Sequence, residues 1–95
     1  MKVRFTRRAV REARDARDWL KVRQPKTVDG FTVRFRECIA RLREFPNAGS
    51  PERHSSRRLT LKPYPYAIIY RVSGDEVTIV AVAHAKKRPG YWAGR

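Results

Sequence analysis

Residues 66–84 of this 95-residue chain read Tyr-Ala-Ile-Ile-Tyr-Arg-Val-Ser-Gly-Asp-Glu-Val-Thr-Ile-Val-Ala-Val-Ala-His, and they carry the clearest β-sheet pattern of the sequence. Two runs rich in β-branched and aromatic residues flank Ser73-Gly74-Asp75, a sequence typical of a tight turn. The pattern predicts a β-hairpin with strands over residues 66–72 and 76–84. Upstream, residues 58–61 alternate polar and apolar side chains, which predicts a third strand of the same antiparallel meander.

The first half of the chain predicts one short strand and two helices. Val3 and Phe5 alternate with charged residues over residues 2–6, which is a strand pattern. Thr6 can cap a helix that begins at Arg7 and carries an apolar stripe made mostly of alanine. A second helix over residues 26–45 is predicted by apolar residues at spacings of three and four, namely Val28, Phe31, Phe35, Cys38, Leu42 and Phe45.

Proline and other turn-forming residues separate these elements. Gln24-Pro25 breaks the first helix, Pro46 ends the second, and residues 46–56 are so rich in turn formers that we predict a loop. The chain is thus predicted to be a single α+β domain over residues 1–95. Its order is an N-terminal strand, an antiparallel helix hairpin, and a three-stranded antiparallel meander packed on the helices.

The charge of the chain is strongly unbalanced. It has 23 Lys and Arg residues against 9 Asp and Glu residues, a net charge of +14. Such an excess of cations attracts polyanions, so the expected partners are nucleic acid, an acidic protein, or both. Most of these cations are arginines, whose planar donor groups suit phosphates and carboxylates.

Several classes of protein are disfavoured by composition. The single cysteine, Cys38, allows no internal disulfide and no cysteine-based zinc cluster. The two histidines, His54 and His84, fall in different elements without carboxylates at ligand spacing, so we expect no metal site, and we expect no cofactor. There is no apolar run long enough for a membrane span and no signal-peptide pattern at the start, so we expect a cytoplasmic protein without membrane contact.

Three segments carry a resemblance to a known family. They are Leu42 followed by Phe45-Pro46-Asn47-Ala48-Gly49, Arg58-Leu59 followed by residues 66–72, and the ending Val82-Ala83-His84-Ala85-Lys86-Lys87-Arg88-Pro89-Gly90-Tyr91-Trp92. Their order and spacing resemble the RelE/ParE toxin superfamily, and more closely its ParE-type toxins of type II toxin–antitoxin systems. The resemblance implies a toxin that inhibits DNA gyrase, or the gyrase–DNA complex, by binding. It also implies a cognate acidic antitoxin similar to ParD.

The resemblance and the charge together suggest two sets of contact residues. For the target we predict the basic, aromatic tail together with one strand residue, namely Lys86, Lys87, Arg88, Tyr91, Trp92 and Arg58. For the antitoxin we predict arginines and apolar residues on the helix hairpin, namely Arg11, Arg14, Trp19, Phe31 and Arg34.

The alternative is a RelE-like, ribosome-dependent mRNA endonuclease. Its catalytic set would be His84, Arg71 and Tyr91, with His84 as general acid or base. Against it, the RelE-type nucleases are expected to place a phosphate-binding arginine where this chain has Ala67. His84 can also be a structural histidine that bonds nearby backbone, and the tail can fold back and bury Tyr91 and Trp92. A third hypothesis is a nucleic-acid-binding domain without toxicity.

Overall fold

The computed structural model describes the whole chain, Met1–Arg95. Strand β1 (Lys2–Phe5) is followed by helix α1 (Arg7–Arg23), a 3₁₀ turn (Pro25–Thr27) and helix α2 (Val28–Glu44). Strands β2 (Ser50–Glu52), β3 (Ser56–Thr60), β4 (Tyr66–Ser73) and β5 (Glu76–His84) complete the chain. They form one sheet in the order β1-β5-β4-β3-β2, in which only β1 and β5 are parallel. The predicted α+β class is confirmed.

The predicted meander of β3, β4 and β5 is confirmed, but the sheet has two further strands at its edges. Strand β1 pairs with β5 in parallel, with Val3 opposite Val77. Such a pairing joins residues far apart in sequence and leaves no local turn signal. Strand β2 lies within the predicted loop of residues 46–56, which is corrected in this respect. Its Pro51 is tolerated because β2 is an edge strand, where one N–H is not needed.

The helices follow the predicted stripes with two corrections. The Thr6 hydroxyl caps α1 by accepting a hydrogen bond from the Ala9 N–H at 3.1 Å, as predicted. Helix α2 begins at Val28, later than predicted, because Pro25 first opens a 3₁₀ turn. Phe45 is wrong as a core residue, since it lies just past the helix end and is 61% exposed. Neither helix is long and apolar enough to cross a membrane.

The two faces of the sheet carry separate apolar clusters. On one face Tyr66, Ile68 and Tyr70 pack with Phe31 and Leu42 of α2. Side chains alternate along a strand, so their neighbours point to the opposite face. There a smaller cluster forms from Ile69, Val80, Ala81, Ala83 and Trp92. Trp92 belongs to the tail, defined here as residues 86–95, and the tail therefore covers part of the sheet face that lies away from the helices.

Gly49 is placed where no side chain fits. A Cβ atom there would lie 2.8 Å from the main-chain oxygen of Arg58 and 2.8 Å from the hydroxyl of Tyr70. The Gly49 N–H itself donates to that hydroxyl at 2.8 Å, and the hydroxyl donates to the Pro46 carbonyl. These hydrogen bonds hold the segment that follows α2 against β4, the central strand of the sheet.

We predict that Gly49→Ala lowers the free energy of unfolding by roughly 1–3 kcal/mol, because the methyl group must displace backbone and a buried tyrosine. Gly94→Ala is the matched control, since a Cβ at Gly94 would meet no atom within 4 Å. Urea denaturation of both variants measures the difference. Equal stability of the two variants would contradict this account of the α2 exit.

Candidate functional site

The tail folds back onto the sheet through Trp92. This side chain is 2% exposed and packs on Ile69, Val80, Ala81 and Ala83. Tyr91 stands edge-on to the Trp92 ring, with 5.5 Å between ring centres. The prediction of Trp92 as a target contact is therefore corrected: its indole belongs to the core, and the alternative in which the tail buries it is confirmed.

A cleft of about 280 Å³ opens beside the tail and collects most of the other predicted target residues. We call it the basic cleft. Its polar and charged lining comes from the segment of β2 and β3, the end of β5 and the tail, namely Glu52, Arg53, Arg58, His84, Lys87 and Arg88, with Tyr91 at its wall. Glu52 is the only acid among them and lies 3.7 Å from Arg58 and 3.8 Å from Arg53. Lys87 and Arg88 are exposed and form no ion pair.

Lys86 lies on the other side of His84 from the basic cleft. It lines a larger opening of about 680 Å³ between α1 and the end of β5, together with Trp19, Tyr66 and His84. His84 and Lys87 line both openings. Of the predicted target residues, the structure thus brings Arg58, Lys87, Arg88 and Tyr91 around one cleft and leaves Lys86 at its border.

His84 is held by local contacts at the end of β5. Its Nδ1 accepts a hydrogen bond from the Lys86 N–H at 3.0 Å. Its ring stands edge-on to Tyr66, with 4.9 Å between ring centres. His84 therefore has the contacts of a structural histidine at the end of a strand, whose ring bonds nearby backbone.

The alternative catalytic set of His84, Arg71 and Tyr91 is only partly brought together: His84 and Tyr91 line the basic cleft, and Arg71 does not. His84 pairs with Tyr66, whereas Arg71 lies five residues further along β4, about 17 Å away at 3.3 Å per residue. The Arg71 guanidinium is also engaged, donating to the main-chain oxygens of His54 at 3.1 Å and Arg95 at 2.7 Å.

Tyr91 is held as a protonated hydrogen-bond donor. Its hydroxyl donates to the carboxylate of Glu12 at 2.7 Å. Burial raises the pKa of Tyr91 well above its ordinary value, and the hydrogen bond and negative charge of Glu12 raise it further. A tyrosine is already protonated at neutral pH, and the raised pKa makes the Tyr91 proton harder still to remove, so Tyr91 is poorly suited to act as a base. Ala67, at the place where a nuclease is expected to carry arginine, is buried opposite Ala83.

A second candidate surface lies along α2, where this helix meets α1 and β1. Two adjoining clefts of about 150 and 410 Å³ share Phe35 and Arg36 and form one groove. Its apolar lining is Phe5, Ala13, Phe31, Phe35, Ile39 and Ala40, and its basic rim is Arg14, Arg17, Arg36 and Arg43. We call it the helix groove. An apolar floor between cationic rims suits a segment that is apolar on one face and acidic at its borders.

The predicted antitoxin residues do not form one surface. Arg14 and Phe31 line the helix groove, but Phe31 is only 3% exposed and is corrected from a free contact to part of the floor. Trp19 lies on the other side of α1 and lines the larger opening beside β5. Arg34 flanks the opposite side of α2, where it donates to the Lys62 main-chain oxygen at 3.1 Å. Arg11 is exposed on α1 and lines neither opening.

Sequence reasoning missed Arg17, Arg36 and Arg43 at the rim of the helix groove. Arg36 and Arg43 are seven residues apart, which is two turns and therefore one side of a helix. That spacing was the available signal. Sequence reasoning also missed Glu12 and Arg95, which are 83 residues apart and form an ion pair at 2.7 Å. No local sequence pattern indicates a contact between residues so far apart in the chain.

Comparison with known proteins adds three findings. Residues 3–89 match the family model described as ParE toxin of type II toxin-antitoxin system, parDE. The chain is 33% identical over 88 residues to a protein of Sinorhizobium fredii (strain NBRC 101917 / NGR234) named "Putative toxin Y4kP", covering 92% of this chain and 91% of that protein. A solved structure described as a chromosomal ParDE TA system from P. aeruginosa is similar in fold, with a TM-score of 0.75 and 24% identity over 88% of this chain and 95% of that one.

Proposed function

The chain belongs to the ParE toxin family of type II toxin–antitoxin systems, and from that premise we propose that it arrests growth in the cytoplasm by binding DNA gyrase or the gyrase–DNA complex. The single observation that carries this proposal is the basic cleft. Its cations Lys87 and Arg88 are exposed, while the Arg71 guanidinium and the Tyr91 hydroxyl are engaged in hydrogen bonds within the chain. The arrangement supports binding to a polyanion rather than acid–base catalysis.

The target surface in this proposal consists of Arg58, Lys87 and Arg88, with Lys86 at its border. Lysine and arginine that neutralise phosphates release condensed counterions, so the affinity falls steeply as salt rises. The gyrase–DNA complex supplies such phosphates. Tyr91 contributes its ring, which lies 5.6 Å from the Lys87 ammonium and holds that cation beside the cleft.

The proposed regulator is a cognate acidic antitoxin similar to ParD that docks in the helix groove. Arg14, Arg36 and Arg43 at the rim form no ion pair within the chain and are free to meet carboxylates. Apolar side chains of the antitoxin would contact Phe35 and Ile39. The expected source of this partner is a small acidic protein encoded next to this chain.

We predict that a defined message stays intact in a translation extract that contains the purified protein, and that His84→Ala arrests growth on induction as strongly as the parent chain. The reason is that His84 Nδ1 already accepts a hydrogen bond from the Lys86 N–H, its ring packs edge-on against Tyr66, and the Tyr91 hydroxyl is bonded to Glu12. Message length on a gel and colony counts after induction are the measurements. Cuts in the message that vanish with His84→Ala would contradict the proposal and favour the ribosome and its mRNA as target.

The toxin assignment has its own test in cells. Induction of this chain alone should stop growth, and co-expression of the adjacent acidic protein should restore it. Unimpaired growth on induction of a folded chain would instead favour a nucleic-acid-binding domain without toxicity.

A further inference from the structure

Glu12 of α1 is the meeting point of four hydrogen bonds. Its Oε1 accepts from the Val82 N–H at 3.0 Å and from Arg95 Nη1 at 2.7 Å. Its Oε2 accepts from the Tyr91 hydroxyl at 2.7 Å and from Arg95 Nη2 at 3.2 Å. The two-point contact between a carboxylate and a guanidinium is the strongest ionic geometry available to side chains, and here it is largely shielded from solvent.

Arg95 connects the hydrogen bonds of Glu12 to the sheet. Its Nη1 also donates to the Val80 carbonyl at 3.1 Å, while Arg71 Nη1 donates to the Arg95 main-chain oxygen at 2.7 Å. The contacts with Val80 and Val82 occur where β5 lacks a neighbour, because β1 pairs only with Glu76–Ile79. Glu12 and Arg95 therefore supply the acceptor and donor that a further strand would otherwise supply to Val82 and Val80.

The tail segment that carries Lys87 and Arg88 is anchored at both ends by these contacts. At its start, the Lys87 N–H donates to the His84 carbonyl at 3.0 Å. At its far end, Tyr91 and Arg95 are held by Glu12, and Trp92 is buried between them. Loss of the far anchor would leave the segment fixed at one end only.

We infer that Glu12 is a positioning residue of the toxin: it holds the tail against the sheet and so keeps Lys87 and Arg88 at the mouth of the basic cleft. This rests on the proposed function in one respect, namely that the basic cleft contacts the target. Glu12 does not line the basic cleft; it is bonded to Tyr91 and Arg95 of the tail and borders the larger opening between α1 and β5.

Hydrogen exchange of the full-length protein tests the structural half of the inference. In Glu12→Gln the amides of Tyr91, Ala93 and Arg95 should exchange about tenfold faster or more, because charge-assisted hydrogen bonds that close the tail are lost. Asp15→Asn is the matched control: it makes the same change of charge one turn later on α1, at an exposed carboxylate with no ion pair. Unchanged exchange in Glu12→Gln would overturn the inference.

Trp92 provides an independent probe of tail release. In a Trp19→Phe background it is the only tryptophan, so acrylamide quenching reports its exposure directly. Quenching should rise in Glu12→Gln and in Arg95→Gln, and the double variant should show little more than either one, since both changes break the same contact. Additive effects would overturn the claim that Glu12 and Arg95 act as one anchor.

Growth arrest on induction tests the functional half without presupposing gyrase. Glu12→Gln should need about tenfold more protein to arrest growth than the parent chain, whereas Asp15→Asn should not. Tyr70→Phe controls for stability, since it removes the buried bonds to Gly49 and Pro46 on the opposite face of the sheet and leaves the tail in place. If Tyr70→Phe and Glu12→Gln have the same stability and lose growth arrest equally, the positioning role is overturned. It is also overturned if Glu12→Gln arrests growth fully although hydrogen exchange shows that its tail is released. A failure of gyrase binding by the parent chain would count against the proposed target alone, because exchange, quenching and growth do not depend on it.

Discussion

Charge reversal at the mouth of the basic cleft, Lys87→Glu with Arg88→Glu, is expected to abolish growth arrest. Both side chains are exposed and form no ion pair, so the only side-chain contact that the change removes is that of the Lys87 ammonium with the Tyr91 ring. Under the proposed function it replaces two charge-assisted contacts to the target with repulsion. The affinity for the gyrase–DNA complex should fall at least about 100-fold, and its salt dependence should become shallower.

The control for this prediction is Lys21→Glu with Lys26→Glu. These lysines are also exposed and lie outside the basic cleft, the larger opening beside it and the helix groove. The control changes the net charge by the same amount and should arrest growth like the parent chain. If both double variants lose arrest to the same degree, the net charge and not the cleft determines toxicity.

Charge reversal at the helix groove, Arg36→Glu with Arg43→Glu, is expected to produce a toxin that its antitoxin cannot neutralise. Like charges brought together at an interface cost several kcal/mol, so binding of the acidic partner should weaken at least about 100-fold. Growth arrest should persist because the basic cleft is formed by different elements. Titration calorimetry with the purified antitoxin and growth under co-expression measure the two effects.

The outcome that would count against the helix groove is full neutralisation of this variant by co-expressed antitoxin. The same Lys21→Glu and Lys26→Glu chain serves as control, since it should bind the antitoxin normally. Loss of arrest together with loss of antitoxin binding would indicate that the two partners share one surface, contrary to the separation described above.

The predictable part of the fold is the part encoded by local patterns. The hairpin of β4 and β5 follows from two β-branched runs around Ser73-Gly74-Asp75, and the cap at Thr6 follows from one hydroxyl before a helical stripe. The parallel pairing of β1 with β5 does not, because it depends on how both helices return the chain to the sheet. Strand β2 was not predicted because it contains a proline and is only three residues long.

The candidate site divides in the same way. Lys87 and Arg88 are adjacent in sequence and their exposure follows from charge alone, so their place at the cleft could be predicted. The burial of Trp92 could not, because an aromatic residue in a basic tail suits an interface as well as a core. The contact between Glu12 and Arg95 joins the two ends of the chain and depends on the finished fold.

Trapped DNA breaks show whether this ParE-family chain acts on gyrase, as proposed. Purified gyrase and supercoiled plasmid are incubated with the protein and ATP, and the reaction is stopped with detergent and protease. Linear plasmid should accumulate with the parent chain and not with Lys87→Glu/Arg88→Glu. If the parent chain arrests growth in cells but gyrase incubated with it supercoils normally and leaves no linear plasmid, gyrase is not its target.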